Sequence, residues 1–435
     1  MSGPAKLIAV EHRDAKPSHP ALDLTDIPVI LFADDEKRPC FTLHDQAGVR
    51  RLRAGYYVGA AWLRSGALVV QVTPKVPNID HAGMLFACLR HPSVAPYVAG
   101  LYTLQADAPL IAVERQHDLL TPLLVTHFLQ LLRAIVRKGV KKGYVPVAEE
   151  LRARVKGKVD VARTIRQGVF KQRFLTTACR YEEFSPDIPE NRFLKRVLCF
   201  VERFVAAYPT YYALLAPTLA YCTPAFGAVR EEADAGVLRH ATRRNPLFAE
   251  YAEAQRVGQL LLARFGYTLE NVAPDPANPQ TVFVPPHWVD MSKLFELHVL
   301  GLLKDRFGEK AVLYGEEQVK GHKGVIPDFL VKTDKDERWI MDAKYKPVYQ
   351  DPDGYDLENI RQISAYARDR RILINRLGYS AEESERVLPE CLILYPAEKN
   401  ANPGSVIRLE KDLKKERIEQ YTRFFKSPVL LPTKC

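Results

Sequence analysis

The sequence predicts a multidomain α+β protein with a β-rich N-terminal domain, a helical central region and a C-terminal α/β unit. Its 435 residues are enough for two or three domains of about 100–200 residues each. Hydrophobic residues make up 47% of the chain and charged residues 26%, which argues against a disordered or fibrous protein. Three prolines within residues 273–279 interrupt a helical pattern and predict a linker. We therefore expect domains at residues 1–125, 126–272 and 280–435.

Short β-rich runs dominate the first 125 residues. Residues 56–63 and 67–72 flank the turn sequence Arg64-Ser65-Gly66, which together predict a β-hairpin. Apolar residues then recur at three- and four-residue spacing over 84–89 and 117–135, and this spacing predicts helices.

The central region combines basic charge with helical periodicity. The whole chain carries 62 Lys and Arg against 52 Asp and Glu, a net charge of +10, which only weakly suggests a polyanionic partner. Between Arg133 and Arg173, however, there are thirteen basic residues and three acidic ones. Such a run is more often a solvated face than a binding site, but its density makes it the first place to expect contacts with phosphate. Helical patterns follow over 191–207 and 246–265.

The 26 residues from Phe204 to Val229 carry no charge, and this length could span a membrane. Three prolines divide the segment into pieces too short to span, so buried helices and loops are the better prediction. Seven scattered cysteines without a C-x-x-C pair favour a reducing compartment over a zinc ribbon or a disulfide framework. With no signal peptide visible near the first residue, we expect a cytoplasmic protein that does not bind a membrane.

After the linker, a helix, strand, strand, helix, strand pattern predicts a compact α/β unit. Residues 324–331 and 339–345 are β-rich and flank a charged connection, which predicts a hairpin. If the hairpin is symmetric about Lys335, Asp328 lies directly opposite Asp342. Like charges so placed are destabilising unless something compensates them. Two carboxylates with no Cys or clustered His nearby favour Mg²⁺ or Mn²⁺ over zinc as that compensation.

Three further groups are candidates for the same site. Lys344 shares a strand face with Asp342, so its ammonium could orient or help to deprotonate a water and offset the charge of a phosphate. Glu296, set among apolar residues of a helix that begins near Ser292, is a candidate third acidic group, the alternative being an exposed glutamate on a helix edge. Gln362 and Tyr366 are four residues apart on a helix and share a face, although an ordinary amphipathic helix would show the same spacing.

The order of these residues resembles a known enzyme core. Glu296, Pro327-Asp328, Asp342-Ala343-Lys344 and Gln362-x-x-x-Tyr366 are similar to the PD-(D/E)XK nuclease core, including the Q-x-x-x-Y element of its RecB-like branch. Over most of its length the chain also resembles the McrC family, the nuclease subunits of McrBC modification-dependent restriction systems. The segments that carry this second resemblance are 342–346, 294–296, 154–160, 181–192 and Val72-Thr-Pro-Lys75 followed by Met84-Leu85.

The resemblance implies a Mg²⁺-dependent DNA endonuclease, with Mn²⁺ able to substitute, that defends the cell against phage and other foreign DNA. It implies catalytic roles for Asp328, Asp342 and Lys344, with Glu296, Gln362 and Tyr366 in the same site. The metal ligands would be Asp328, Asp342, Glu296 and the backbone carbonyl of Ala343. The C-terminal unit would be a mixed sheet flanked by helices.

The resemblance also implies a partner, an McrB-type AAA+ GTPase hexamer whose hydrolysis is stimulated by the N-terminal and central regions. The sequence contains no G-x-x-x-x-G-K-[ST] phosphate loop, so we expect this chain alone to bind no nucleotide. Two alternatives remain open. The chain could be a non-catalytic adaptor of an AAA+ motor, although it retains all three motif residues, or a self-sufficient nuclease whose N-terminal region reads DNA bases.

Overall fold

The fold is mixed α/β, as the sequence predicts. A computed structural model describes residues 4–17, 24–27, 30–32, 39–46, 49–76, 78–88, 91–105, 108–114, 118–207, 212–231, 249–264, 281–315, 326–399 and 416–432. The chain divides into two compact units, the first formed by residues 1–127, 205–216 and 273–435 and the second by residues 128–204 and 217–272. The predicted linker at 273–279 lies outside the described residues, and the three-domain division stays a prediction.

The N-terminal part of the first unit is rich in strands, as predicted. Its elements are β1 (Ala5–Val10), β2 (Lys16–Pro17), β3 (Ile30–Phe32), β4 (Pro39–Gln46), β5 (Val49–Ala54), β6 (Tyr57–Arg64), β7 (Leu68–Thr73), α1 (His81–Ala87), a 3₁₀ segment (Pro92–Leu101), β8 (Tyr102–Leu104) and β9 (Ile111–Glu114), followed by α2 (Leu120–Lys138). The predicted hairpin is β6 and β7, which pair antiparallel. The turn between them contains Gly66 at φ +72°, a left-handed conformation that glycine adopts at little cost.

The central residues contain a sheet that the sequence did not predict. Their elements are β10 (Gly143–Arg152), β11 (Lys158–Val159), α3 (Val161–Thr164) continued by a π-helical turn (Ile165–Val169), β12 (Thr176–Ser185), α4 (Pro189–Ala207), α5 (Tyr212–Cys222), a 3₁₀ turn (Thr223–Phe226) and α6 (Ala249–Arg264). The predicted helices at 191–207 and 246–265 are confirmed as α4 and α6. This predicted helical region also contains an antiparallel sheet formed by β10, β12 and β11. The residues from Tyr144 to Ala148 are all apolar, and Glu149 and Glu150 follow them, so apolar and polar residues do not alternate along β10 in a way that marks it as a strand.

The segment after the linker begins by completing the N-terminal sheet. The remaining elements are β13 (Thr281–Val284), β14 (His287–Asp290), α7 (Met291–Phe307), β15 (Val312–Tyr314), β16 (Phe329–Lys332), β17 (Arg338–Ala343), a 3₁₀ turn (Pro347–Gln350), α8 (Leu357–Tyr366), α9 (Arg370–Asn375), α10 (Glu383–Arg386), β18 (Glu390–Lys399), β19 (Glu416–Arg417) and β20 (Phe424–Pro432). Strand β14 lies between β6 and β8 in a six-stranded sheet. The strands approach closely at Gly59, where a Cβ atom would lie 2.0 Å from the carbonyl oxygen of His287.

A second six-stranded sheet, in the order β15-β16-β17-β18-β20-β19, forms the C-terminal part of the first unit. It is mixed, because β17 and β18 are parallel, as are β18 and β20, while the other neighbours are antiparallel. Helix α8 covers one face, where Ile360 and Ile363 belong to the same buried cluster as Leu330, Ile340 and Ile393. Burying side chains of this size stabilises a fold by about 1.5–3 kcal/mol each, so this packing fixes α8 against β16 and β17.

Helix α2 is long and apolar enough to cross a membrane. It is a different segment from residues 204–229, whose lack of charge raised the question of a membrane span. Of its most apolar window, 72% is buried within the protein, and buried core helices meet the same criterion. The described residues of the segment 204–229 belong to the end of α4, to α5 and to the 3₁₀ turn with the residues that follow it.

Lys426 on β20 ties down the loop that leads into α8. Its side chain is 1% exposed, and its ammonium donates hydrogen bonds to the carbonyl oxygens of Asp351, Pro352 (2.7 Å) and Gly354 (3.3 Å). Three neutral carbonyls thereby satisfy the three donors of the ammonium.

We expect Lys426→Met to lower the free energy of unfolding by about 1–3 kcal/mol, because the three loop carbonyls lose the buried ammonium that donates to them. Urea denaturation followed by far-ultraviolet circular dichroism measures the change. The control is Lys310→Met, at an exposed position, where about 0.5 kcal/mol or less is expected. Equal stability of the Lys426 variant and the wild type would contradict the role of this lysine.

Candidate active site

The hairpin of β16 and β17 has the register that the sequence predicts. Phe329 pairs with Met341 and Lys332 with Arg338, so each pair is equally far from Lys335. Asp328 lies one residue beyond this ladder, and its Oδ2 accepts a hydrogen bond of 2.8 Å from the backbone N–H of Ala343. Asp328 therefore reaches the end of β17 next to Asp342.

The two aspartates lie where charge is costly. Asp342 is 1% exposed, and Asp328 is half-buried. Burial, and then the negative charges of Asp342 and Glu296, raise the pKa of Asp328 well above its ordinary value, although Lys344 and the Ala343 N–H partly offset this. The predicted electrostatic conflict between the carboxylates is thus present in the folded chain.

Lys344 directly follows β17 and lies against Asp342. Its backbone N–H donates to the carbonyl of Leu394 on β18 (2.8 Å), which keeps this residue at the sheet. Its Nζ lies 2.6 Å from Asp342 Oδ2 and donates to Gln362 Oε1 at 3.4 Å. Burial lowers the pKa of Lys344, but the charges of Asp342 and Asp328 outweigh burial, so the net shift is upward. In the absence of a divalent cation, Lys344 is therefore an ammonium.

Helix α8 supplies the predicted pair of polar groups. It begins after Asp356, whose side chain accepts hydrogen bonds from the N–H groups of Glu358 and Asn359 and thereby caps the helix. One turn later, Gln362 Nε2 donates to the hydroxyl of Tyr366 at 2.8 Å. Burial raises the pKa of Tyr366 to about 12, so it is a neutral phenol. Gln362 thus links Lys344 to Tyr366, and the shared face predicted for the pair is confirmed.

Glu296 lies on α7, which begins at Met291 after the capping residue Asp290, one residue from the predicted start near Ser292. Its side chain is only 18% exposed, and its Oε1 lies 3.0 Å from Lys293 Nζ. This burial disfavours the alternative of a solvated glutamate on a helix edge. The charge of Glu296 acts on Asp328, as noted above, which places its carboxylate in the electrostatic field of the hairpin.

Tyr314, at the end of β15, is a neighbour of Glu296 and Phe329 that the sequence did not predict. It is 2% exposed, and its ring stacks on Phe329 with centroids 5.7 Å apart. Burial, and then the charge of Glu296, raise the pKa of Tyr314. The signal for it was the short apolar run Val312–Tyr314, which pairs with β16, but three residues are too few to show a period.

The oxygen ligands available at this site suit a hard divalent cation. Asp342 Oδ2 is buried, and the ammonium of Lys344 lies 2.6 Å from it. One ammonium cannot balance two adjacent carboxylates on which the charge of Glu296 also acts, and this surplus of negative oxygen ligands is the environment that Mg²⁺ or Mn²⁺ relieves. Within the described parts of the chain, no three His, Cys, Asp or Glu side chains are close enough to form a ready-made metal cluster. A site here would therefore combine the two aspartates with the Ala343 carbonyl, and Glu296 stays a predicted ligand.

Comparison with known proteins gives one family. The family model for the McrBC 5-methylcytosine restriction system component matches residues 52–377. Among solved structures, the chain is similar to a half-complex of Thermococcus gammatolerans McrB AAA+ hexamers with bound McrC, at 17% identity over 98% of this chain and 94% of that chain, with a TM-score of 0.39. It is also similar to the Thermococcus gammatolerans McrBC complex, at 18% identity over 70% of this chain and 88% of that one, with a TM-score of 0.31. The search of curated proteins gave no match.

At neutral pH and without divalent cations, we expect Asp328→Asn to raise the free energy of unfolding. The raised pKa of Asp328 means that the folded state binds its proton more tightly than the unfolded state does, so stability falls as the pH rises above the ordinary aspartate pKa. An asparagine keeps an acceptor for the Ala343 N–H but removes the buried charge.

Urea denaturation in EDTA at pH 7 measures this gain, which should vanish in acid, where the wild-type aspartate is protonated in both states. The control is Asp334→Asn in the exposed turn of the same hairpin, for which little change is expected. A less stable Asp328 variant at pH 7 would contradict the electrostatic conflict.

Proposed function

The chain belongs to the family of McrBC 5-methylcytosine restriction system components, and we propose that it is the nuclease subunit of such a system. The proposed activity is Mg²⁺-dependent endonucleolytic cleavage of DNA, with Mn²⁺ able to substitute. The observation that carries the proposal is the cluster of Asp328, Asp342 and Lys344 at one end of the hairpin, joined to Gln362 and Tyr366 by hydrogen bonds.

We propose further that β15–β18 with α7 and α8 form a PD-(D/E)XK core. Three features support this assignment. The strands form a mixed sheet, the two aspartates come from neighbouring antiparallel strands, and α8 packs on the sheet face that carries Leu330 and Ile340. Because side chains alternate along a strand, Asp328 and Asp342 point to that same face.

Each residue has a distinct part in the proposed reaction. Asp328, Asp342 and the Ala343 carbonyl would hold the metal, with Glu296 nearby. When bound, Mg²⁺ supplies charge neutralisation for the phosphodiester and acidifies water. Lys344 supplies a fixed positive charge that orients the attacking water and stabilises the negative charge that develops on the phosphate. Gln362 holds the ammonium in place, and Tyr366 holds Gln362.

The proposed partners are DNA and an McrB-type AAA+ GTPase hexamer. The second partner rests on family membership, and on the absence of a phosphate loop from this sequence. The basic stretch 133–173 includes β10, β11 and the turn after α3, where Lys171 and Arg173 are exposed between the exposed rings of Phe170 and Phe174. These residues are candidates for contact with DNA phosphate or with the GTPase. A cytoplasmic location remains part of the proposal.

The geometry favours a nuclease over a non-catalytic adaptor. A relic of a lost active site has no need to keep two aspartates side by side at the cost of burial and repulsion. Whether the chain cleaves alone, as a self-sufficient nuclease, is an outcome of the first experiment below.

Lys344→Ala is expected to abolish DNA cleavage, a loss of at least about a hundredfold in the single-turnover rate. The assay uses the full-length chain, plasmid DNA containing 5-methylcytosine and Mg²⁺ or Mn²⁺, with and without an McrB-type GTPase and GTP. Lys335→Ala in the turn of the same hairpin is the matched control and should cleave normally. Full cleavage by the Lys344 variant would refute the proposed site, whereas GTPase stimulation without nicking by the wild type would favour the adaptor.

DNA binding is expected to weaken steeply with salt, because each phosphate neutralised by the 133–173 stretch releases counterions. The slope of log affinity against log salt concentration, measured by fluorescence anisotropy, should fall by about 0.9 for each basic residue removed from a phosphate contact. The test pair is Lys171→Gln with Arg173→Gln, and the control is Lys310→Gln. A slope unchanged by the double variant would argue that these two residues do not contact DNA.

A further inference from the structure

Tyr345, the residue after Lys344, is held by side chains from the beginning of the chain. It is 3% exposed, and its hydroxyl shares a hydrogen bond of 2.9 Å with Nε2 of the buried His81 on α1. The face of its ring receives the ammonium of Lys75, which lies 4.6 Å from the ring centroid. This distance is within the range of a cation–π interaction.

Lys75 is itself part of a buried ion pair. Its Nζ lies 2.8 Å from Oε1 of Glu11, and the two side chains are 10% and 0% exposed. Burial lowers the pKa of Lys75 and raises the pKa of Glu11, and each partner offsets part of the effect on the other. Since desolvation often cancels the Coulombic gain, a buried pair of this kind adds little stability compared with apolar side chains of similar size. Its presence points to a role other than stability.

Tyr345 also contacts α7, the helix that carries Glu296. Its ring and that of Phe295 have centroids 5.8 Å apart, and Phe295 is fully buried. The residues next to Glu296 and Lys344 in the sequence therefore pack on each other. Any displacement of Tyr345 moves the backbone of Lys344 directly, and misplacing a reacting group by about 1 Å can cost about a hundredfold in rate.

We propose that Glu11, Lys75 and His81 are positioning residues for DNA cleavage, which fix Lys344 by clamping Tyr345. In the contacts described they touch neither the carboxylates of the candidate metal ligands nor Lys344, and His81 and Lys75 contact Tyr345, the residue that follows Lys344. This inference rests on the proposed nuclease function, and it makes the N-terminal sheet a component of the catalytic machinery as well as a candidate for partner contact.

The test removes the Glu11–Lys75 part of the clamp without leaving a lone buried charge, using the double variant Glu11→Gln with Lys75→Met, which is called the clamp variant below. We expect a folded chain whose single-turnover cleavage at saturating Mg²⁺ is slowed about tenfold to a hundredfold. The single variant Lys75→Arg keeps both Glu11 and a cation over the ring of Tyr345. It should retain at least half of the wild-type cleavage rate. The matched control is Lys304→Met with Glu309→Gln, which neutralises another ion pair of a buried lysine in the same unit (3.0 Å) and should leave the rate unchanged.

Hydrogen–deuterium exchange gives a second readout that requires no cleavage. In the clamp variant, amide exchange should accelerate in a peptide covering residues 343–350, while a peptide covering 424–431 on the same sheet should exchange as in the wild type. A wild-type cleavage rate in the clamp variant, unchanged exchange over 343–350, or equal slowing by the Lys304 control pair would each overturn the inference. If the wild type cleaves no DNA, the proposed function fails, and the exchange result alone decides whether these residues hold the strand end.

Discussion

The arrangement of the residues around the candidate active site depends on the repulsion between two aspartates, Asp328 and Asp342. A hairpin register that places Asp328 beside Asp342 gains nothing for stability, because both groups lose water and each disfavours the charge of the other. The neighbouring elements reduce this cost. The Ala343 N–H binds Asp328, the ammonium of Lys344 lies against Asp342, and Gln362 fixes that ammonium from α8. The apolar packing of Ile360 and Ile363 then supplies the stability that holds α8 in position.

The same arrangement explains why Lys344 carries charge. Burial alone would favour the neutral amine, but two nearby carboxylates reverse the direction of the shift. The repulsion between Asp328 and Asp342 and the positive charge of Lys344 are therefore parts of one coupled set of electrostatic interactions. Removing any member changes the others, so variants of these residues are not expected to add independently.

The sequence predicted this site better than it predicted its surroundings, and the reason is the distance over which each signal acts. The β16–β17 hairpin, its register about Lys335 and the Gln362–Tyr366 pair are local patterns within about twenty residues, where the periods of strands and helices apply directly. The pairing of β14 with β6, and the clamp that Lys75 and His81 form on Tyr345, join residues more than two hundred positions apart, which no local period encodes. Strands β10 and β12 were missed for another reason, since apolar and polar residues do not alternate regularly along either strand.

The position of β14 has a consequence for recombination between related genes. This strand lies between β6 and β8 and ends at Asp290, the residue that caps the helix bearing Glu296. The N-terminal sheet and the candidate nuclease core therefore share one short piece of chain. A recombination event that joined the first 280 residues of one relative to the remainder of another would have to match both partners at this strand. A cut in the gene at this point would separate β14 from β6 and β8, the two strands between which it lies.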